Sequence, residues 1–561
     1  MVKKILAILL AFVYSVSYIV LGPMIKTQVI SFDSSKILPF IVCFLLCSIT
    51  NLVLFSVIPR CTFDVKKECF IHKVDKFSER KLCIWVWGFI FVSWLPAYCV
   101  FYPGILSYDM VSQVGSAMGE ITNNHHPVLH TWLIRVFMNL GNNLFSSYEF
   151  GIGLLSLLQL LMVSYSLARL VALLKKHKVP TLIVLITALF SSIWFMNACL
   201  TMTMIKDTLF SAFFVLFACH FAEIVINPYE YSRQKRNLIL LPIVGFFMCA
   251  FRNNGLHIYL FCFAGLLILR IKQIKNIKKY IALIAVILLP IFAFKIYSGP
   301  VFEAWNIEQG EVREALSVPI QQLQRVAVQN GIELNSEQTE LMDYYIDNLM
   351  WRSWEPGRKY EPFIADPAKS CFFSGRYNED PIAFWKFYLQ IGEQFTKQYI
   401  VAFLSNSLGF WYPGYDSFSY VEYENYPSEW FVVPLERMSI GNLAFMDKYY
   451  ESVCRDAFWR EIPAIRLFFL PGFTPWILVY ALILSWRKKK YFTMNFPLFL
   501  PHIAQIGIMM LSPTASFRYS WPFYLILPLA FIGIWGNREL NEVEEKDTVM
   551  CPENVNDACK N

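Results

Sequence analysis

Most of what can carry chemistry in this chain sits in five short groups: Tyr108-Asp109, His125-His126-Pro127, Lys206-Asp207, Arg252-Asn253-Asn254 and Arg518-Tyr519. Asp109 closes the segment YPGILSYD after an apolar run, with no cation close in sequence. A carboxylate placed at a membrane interface without neutralising charge would have a raised pKa and suit general-base work. Its plainer role is a helix N-cap or a surface acid. Lys206, Arg252 and Arg518 each stand beside apolar runs. Pairing or snorkelling accounts for one such cation. Three together suit an anionic group such as a lipid phosphate. His126 and His130 are four apart and would share a helical face. A zinc site needs a third ligand, and the chain has no HExxH. Hydrogen bonding to a sugar or phosphate is the expected use of His125 and His126.

Positioning these groups requires membrane spans. The chain is 56% hydrophobic and 16% charged, well under the roughly 25% charge of soluble domains. Apolar runs recur at the ~20-residue length that crosses a bilayer. Lipid admits helices or closed barrels, and the ~10-residue alternation of barrel strands is missing. The expected fold is an all-α polytopic membrane protein. Twelve spans are drawn at about 4–22, 37–58, 83–101, 150–174, 180–199, 207–226, 237–251, 255–271, 280–298, 463–486, 493–511 and 517–536.

Five connections are rich in Lys and Arg, at 60–81, 175–178, 233–236, 270–279 and 487–490, and threading the spans in order puts all five on one side. That side is the cytoplasm, with both termini inside. The five polar groups then fall outside, where residues 82–134 contain no Lys or Arg. The loop at 23–36, with Lys26 and Lys36, runs against this pattern. Val128–Phe145 is apolar but holds Arg135 and three Asn, and reads as an amphipathic helix on the outer surface.

The connection from Gly299 to Glu461 has 24 Asp/Glu against 13 Lys/Arg, in a chain of net charge +7. It is read as an extracytoplasmic mixed domain at 299–462. Before it lies a transmembrane region, 1–298, with its catalytic outer loop at 102–149. After it come the last helices, 463–536, and a polar cytoplasmic tail at 537–561 without fixed structure. Within the domain, Ser336–Met350 reads as a capped amphipathic helix, and Phe384–Phe410 as a helix dipping onto the membrane. Trp351, Trp354, Trp411 and Tyr412 suit either sugar stacking or a core and membrane belt. Most of the 14 cysteines lie in spans, where Cys packs as a small apolar residue. Cys371 and Cys454 remain as a candidate disulfide. No nucleic-acid signature is present.

These motifs resemble those of lipid-linked-sugar glycosyltransferases of the GT-C superfamily, relatives of the protein O-mannosyltransferases and the lipid A aminoarabinose transferases. The likeness rests on Asp109 in YPGILSYD just beyond a span, followed by NNHHPVLHTWLI. The chain is more closely similar to a bacterial multi-span membrane family grouped with GT-C enzymes. The shared pieces are PGILSYD, NNHHPVLHT, IKDTLF, FRNNG, SVPIQQLQR (Ser317–Arg325) and SFRYSWP (Ser516–Pro522).

That resemblance implies a polyprenyl-phosphate sugar donor and an extracytoplasmic glycan, polymer or protein acceptor. Asp109 would be the base of an inverting transfer, and Lys206, Arg252 and Arg518 would hold the phosphate. Tyr108, His125, His126, Asp207, Asn253, Asn254 and Tyr519 would surround the substrate. Asp109 departs from the paired-acid motif of metal-using relatives, with Glu120 eleven residues on, so a divalent metal is not expected. No Walker or Rossmann fingerprint is present, in keeping with a lipid-linked donor. A polysaccharide polymerase or membrane acyltransferase is the alternative. A transporter or flippase is a weaker one, since it would more usually show paired repeats and mid-membrane charges. The preferred reading requires Asp109, His126, Lys206, Arg252 and Arg518 to line one cavity.

Overall fold

The computed structural model describes residues 2–58, 74–271, 280–329, 332–347, 360–415, 424–441, 443–486 and 495–536. Among them the regular elements are helices, and extended segments meet only in isolated bridges. Seven helices are long and apolar enough to cross a membrane: Val2–Leu21, Ser34–Val57, Glu79–Phe101, Tyr148–Lys176, Lys206–Ile226, Ile281–Ala304 and Phe517–Trp535. The pair Thr181–Ile193 and Phe195–Met202, bent by 50°, makes an eighth if taken as one broken span. The protein is a helical membrane protein. The remaining expected spans are also helical but shorter, at Lys235–Phe251, Gly255–Arg270, Pro471–Ser485 and Phe496–Met510. Where 463–486 was expected to be continuous, residues 463–473 form single turns interrupted at Pro471, since proline cannot donate to a preceding turn. Most of three basic connections, Trp351, Trp354 and the tail lie outside the described residues.

The elements that position the site are numbered here: α1 Glu79–Phe101, α2 Met110–Met118, α3 Val128–Phe145, α4 Tyr148–Lys176, α5 Lys206–Ile226, α6 Lys235–Phe251, α7 Ser317–Val328, α8 Pro381–Gln394, α9 Thr396–Asn406 and α10 Phe517–Trp535. Helix α5 is the most enclosed of the long apolar helices, packed by α4, α6 and α10. Val2–Leu21 and Ser34–Val57 pack chiefly on each other and leave most of their apolar surface open, as lipid-facing helices do. Buried Asn51 ties them to the rest, donating to the Ala7 carbonyl at 3.1 Å and accepting from the Tyr480 hydroxyl.

Helix α3 is not among the helices apolar enough to cross a membrane. It buries Val128, Ile134 and Met138, the last two against Met110 and Val114 of α2, and lies along α4. Gly141 of α3 and Gly151 of α4 permit that approach: a Cβ on Gly151 would overlap the Phe137 carbonyl, and one on Gly141 the Gly151 backbone.

Described residues between 316 and 399 build a second core in which Ile320 and Leu323 of α7 meet Tyr345, Phe384, Phe387 and Ile391. The helix expected from Ser336 runs to Tyr345, and its cap is Asn335, paired reciprocally with Gln338. The single helix expected over Phe384–Phe410 is three: α8, α9 and Leu408–Trp411. The first break is at Phe395, where the Thr396 hydroxyl bonds back to the Gly392 carbonyl at 2.8 Å, an alternative to continuing the ladder. Cys371 and Cys454, whose pairing the sequence leaves open, are not bonded to each other. Cys454 Sγ lies 3.6 Å from Cys199 Sγ, both thiols are free, and Cys371 instead reaches the Pro367 carbonyl.

The glycine contact gives a stability test. Gly151→Val is expected to sharply lower the yield of folded, detergent-extracted protein, because the clash is with backbone. Gly88→Val, at a glycine with open space around its Cβ position, should leave the yield near wild type. Size-exclusion recovery of the two variants makes the comparison.

Candidate functional site

Asp109 reaches its place through a laced loop. The Ile105 N–H donates to the Met202 carbonyl at 2.9 Å, and the Met204 N–H donates back to the Ile105 carbonyl at 3.1 Å. That bridge fixes the Asp109 loop against residues 202–204, just ahead of α5. A second strap comes from the 424–440 segment. The Asn425 side chain accepts from the Leu106 N–H at 2.8 Å, the Tyr426 N–H donates to the Leu106 carbonyl, and the Met438 N–H donates to the Tyr102 carbonyl. Tyr108 adopts a left-handed backbone (φ 54°), a conformation that costs a non-glycine residue roughly 1–2 kcal/mol. The turn sets its ring under the Arg518 guanidinium, 4.7 Å away.

Asp109 occupies the N-cap position of α2 but makes no capping bond. Its carboxylate turns instead to two cations. Oδ2 lies 3.0 Å from Lys206 Nζ, the first residue of α5, and 3.7 Å from an Arg518 nitrogen near the start of α10. Burial alone would raise its pKa, but Lys206 and Arg518 hold it well below the usual carboxylate range. The expectation of a raised pKa is therefore corrected. The neutralising charges are remote in sequence and adjacent in space.

His126 joins the same group, with Nδ1 3.4 Å from Lys206 Nζ and Nε2 3.3 Å from the Ser112 hydroxyl. Burial, reinforced by Lys206, lowers its pKa to about 3. The neutral ring thus presents a lone pair to the ammonium and its N–H to Ser112. His126 precedes α3 and is not on a helix, so it does not share a face with His130. His130 is fully buried in α3, and burial lowers its pKa to about 3.

Arg252 was expected to face the same anion. It forms an ion pair with Asp207 at 2.5 Å, with side chains 9% and 0% exposed, and its guanidinium lies over the rings of Tyr519 and Phe210. The Asp109–Lys206 pair is more open, at 26% and 20%. A solute can therefore reach Asp109 and Lys206, whereas Arg252 is spent on Asp207. Tyr519 links the two pairs, since its ring meets both guanidiniums and its hydroxyl accepts from Arg518 at 2.9 Å.

The remaining sequence candidates are His125, Asn253 and Asn254. His125 packs edge-on against His126, 4.6 Å between ring centres. Asn253 donates to the Asn124 carbonyl at 3.4 Å, and Asn254 stands at the N-cap of Gly255–Arg270. Asn124 in turn is stitched to Glu308, Gln309 and Gly310. Among the described residues no three His, Cys, Asp or Glu side chains are placed to share a metal ion.

One positioning residue escaped the sequence reading. Arg135 on α3 donates to the carbonyls of Ser116, Ala117 and Gly119. It thereby caps the C-terminus of the helix whose other end is Asp109, and satisfies acceptors that a helix end leaves open. The clue was a lone arginine in an otherwise apolar amphipathic segment.

The depressed pKa of Asp109 has a measurable sign. Its pairing adds stability that is complete above the unfolded value of ~3.9 and is lost as pH falls toward the lower folded value. Lys206→Met should therefore lower the thermal midpoint most near neutral pH, and the gap from wild type should narrow once pH drops below ~4. Unfolding scans across pH read this directly. Among known proteins, neither the curated sequences nor the solved structures contain a match to this chain. One family model does match, over residues 117–548, which covers His126, Lys206, Arg252 and Arg518 and begins after Asp109. On that match, spanning more than three quarters of its length, the chain belongs to DUF6020, a family of unknown function.

Proposed function

We propose that this protein is an inverting glycosyltransferase of GT-C type that moves a sugar from polyprenyl phosphate to an acceptor hydroxyl. In this reading the twelve helical segments are spans, both termini are cytoplasmic, and the Asp109 site faces outward. The observation that carries it is one carboxylate oxygen shared by two cations, open to solutes and flanked by a neutral histidine.

The donor phosphate competes with Asp109 for Lys206 and Arg518. Once those cations turn to phosphate oxygens, Asp109 keeps its burial and loses its partners, so its pKa rises and it becomes a usable base. It then takes the proton of the acceptor hydroxyl. The acceptor oxygen bonds to the anomeric carbon as that carbon's bond to the phosphate oxygen breaks, and polyprenyl phosphate departs with the electron pair. Lys206 and Arg518 stabilise the charge that develops on it. Configuration inverts because the other acid nearby, Asp207, is closed off by Arg252 and is not available as a nucleophile. Arg252 supports Tyr519 instead of binding phosphate. His126 and Ser112 offer neutral hydrogen bonds to the sugar.

The test is transfer from labelled polyprenyl-phosphate sugar by the purified, reconstituted protein. Asp109→Asn should abolish transfer while the protein still inserts and folds, with a thermal midpoint lowered as in Lys206→Met. Lys206→Met and Arg518→Met should each cut turnover by about a hundredfold. Full activity of Asp109→Asn would sink the proposed base. Block addition of sugars would instead indicate a polymerase, and transfer of an acyl group an acyltransferase.

A further inference from the structure

Two cysteines remote in sequence meet outside the Asp109 site. Cys199 lies in the helix Phe195–Met202 and Cys454 in the turn Glu451–Asp456, and their sulfurs stand 3.6 Å apart. Both side chains are enclosed, Cys199 at 0% and Cys454 at 7% exposure. The contact belongs to a packed seam. Phe195, one helical turn before Cys199, meets the Trp459 ring at 6.5 Å, and both rings lie against Phe469. The Trp459 indole N–H donates to the Val453 carbonyl at 2.8 Å, which holds the turn that presents Cys454. Among the described residues no third His, Cys, Asp or Glu joins the two to hold a metal ion. The sulfurs need about 1.5 Å of travel to reach the ~2.05 Å of a disulfide. Small χ1 rotations at the two residues supply that movement between them.

The pair closes a circuit around the Asp109 turn. Three residues after Cys199, the Met202 carbonyl accepts from the Ile105 N–H. The other side of that loop is held by the Met438 N–H on the Tyr102 carbonyl. Next to Met438, Arg437 donates to the Val100 carbonyl at 2.9 Å and pairs with Asp447 at 2.7 Å. The Tyr450 ring then meets Phe101, the last residue of α1, at 5.0 Å. Four residues on, Cys454 returns to Cys199. The links across this circuit are hydrogen bonds, an ion pair and ring contacts. A bond between the sulfurs would close it covalently.

We infer that Cys199 and Cys454 are a redox pair that a disulfide-bearing oxidant converts to an intramolecular disulfide. Cys454, the less enclosed of the two, loses its proton, and its thiolate attacks one sulfur of the oxidant and expels the other as a thiol. Cys199 then loses its proton, attacks the Cys454 sulfur of that mixed disulfide, and displaces the oxidant's second thiol. Two protein thiols are oxidised and one disulfide is reduced to two thiols. The bond joins positions 255 residues apart, so it restricts the unfolded chain strongly and makes the oxidised protein harder to unfold. The inference is independent of the topology and of the reaction proposed for the Asp109 site.

The full-length protein is purified in detergent with a reductant, freed of it, incubated with glutathione disulfide and quenched in acid. After denaturation, free thiols are capped with light N-ethylmaleimide, disulfides are reduced, and the released thiols are capped with the heavy reagent. Mass spectrometry should find heavy label on Cys199 and Cys454 together, light label on Cys262 and Cys371, and the Cys199 and Cys454 peptides joined in an unreduced digest. Oxidation should raise the thermal midpoint of the wild type by several degrees and leave that of Cys199→Ala and Cys454→Ala in place. Light label on both residues overturns the proposal. So does a glutathione adduct on Cys454 that persists with Cys199 still light, since the second cysteine would then be unable to resolve it.

Discussion

The arrangement depends on one carboxylate oxygen that two cations share. Asp109, Lys206 and Arg518 come from a loop and from the starts of two helices far apart in the chain. Opposite charges in a partly desolvated setting attract strongly, but each unpartnered charge there is expensive. Three elements must therefore converge together or none is tolerable. The surrounding structure reads as the means of that convergence. The Ile105–Thr203 bridge sets the register between the Asp109 loop and α5, Tyr519 joins the Arg518 and Arg252 pairs, and Arg135 closes the far end of α2. Two cations against one carboxylate leave a positive excess at the more open pair, the balance that an incoming phosphate would meet.

Helix class was legible in the sequence, and so was the approach of Asp109, His126, Lys206 and Arg518 to one another, for a simple physical reason. Charged residues flanking apolar runs cannot be left in lipid, so their placement is strongly constrained. Which charge meets which was not legible. Asp109 was read as unneutralised because Lys206 is far off in sequence, and the loop that abolishes that distance is held largely by backbone hydrogen bonds and by an Asn425 side chain more than three hundred residues away. Lys206 and Asp207 are neighbours in sequence yet serve different partners, since adjacent residues at the start of a helix point in different directions. Arg252 was assigned to the open site for want of any way to see that Asp207 lay against it.

The helix boundaries tell a similar story. Val128–Phe145 emerged with the bounds expected of it, because its polar residues mark one face clearly. The segment 384–410 did not, because its breaks depend on a side-chain hydroxyl bonding back to a carbonyl and on tertiary contacts with α7. Asp109 shows the limit most directly. Its position as N-cap is visible in sequence, but its refusal to cap is decided by partners that arrive from elsewhere.

The strap formed by Asn425, Tyr426 and Met438 bears on how such a chain can change over evolutionary time. Those residues hold the backbone of Tyr102 and Leu106 from the far side of the 299–462 region. That region is consequently not an appendage free to be swapped or trimmed. An insertion or deletion between residues 424 and 440 would shift the register of the strap and drag the Asp109 turn with it. Length should be guarded there more strictly than residue identity. By the same reasoning, a transplant of that region between homologues should succeed only when it carries its own matching 99–109 loop.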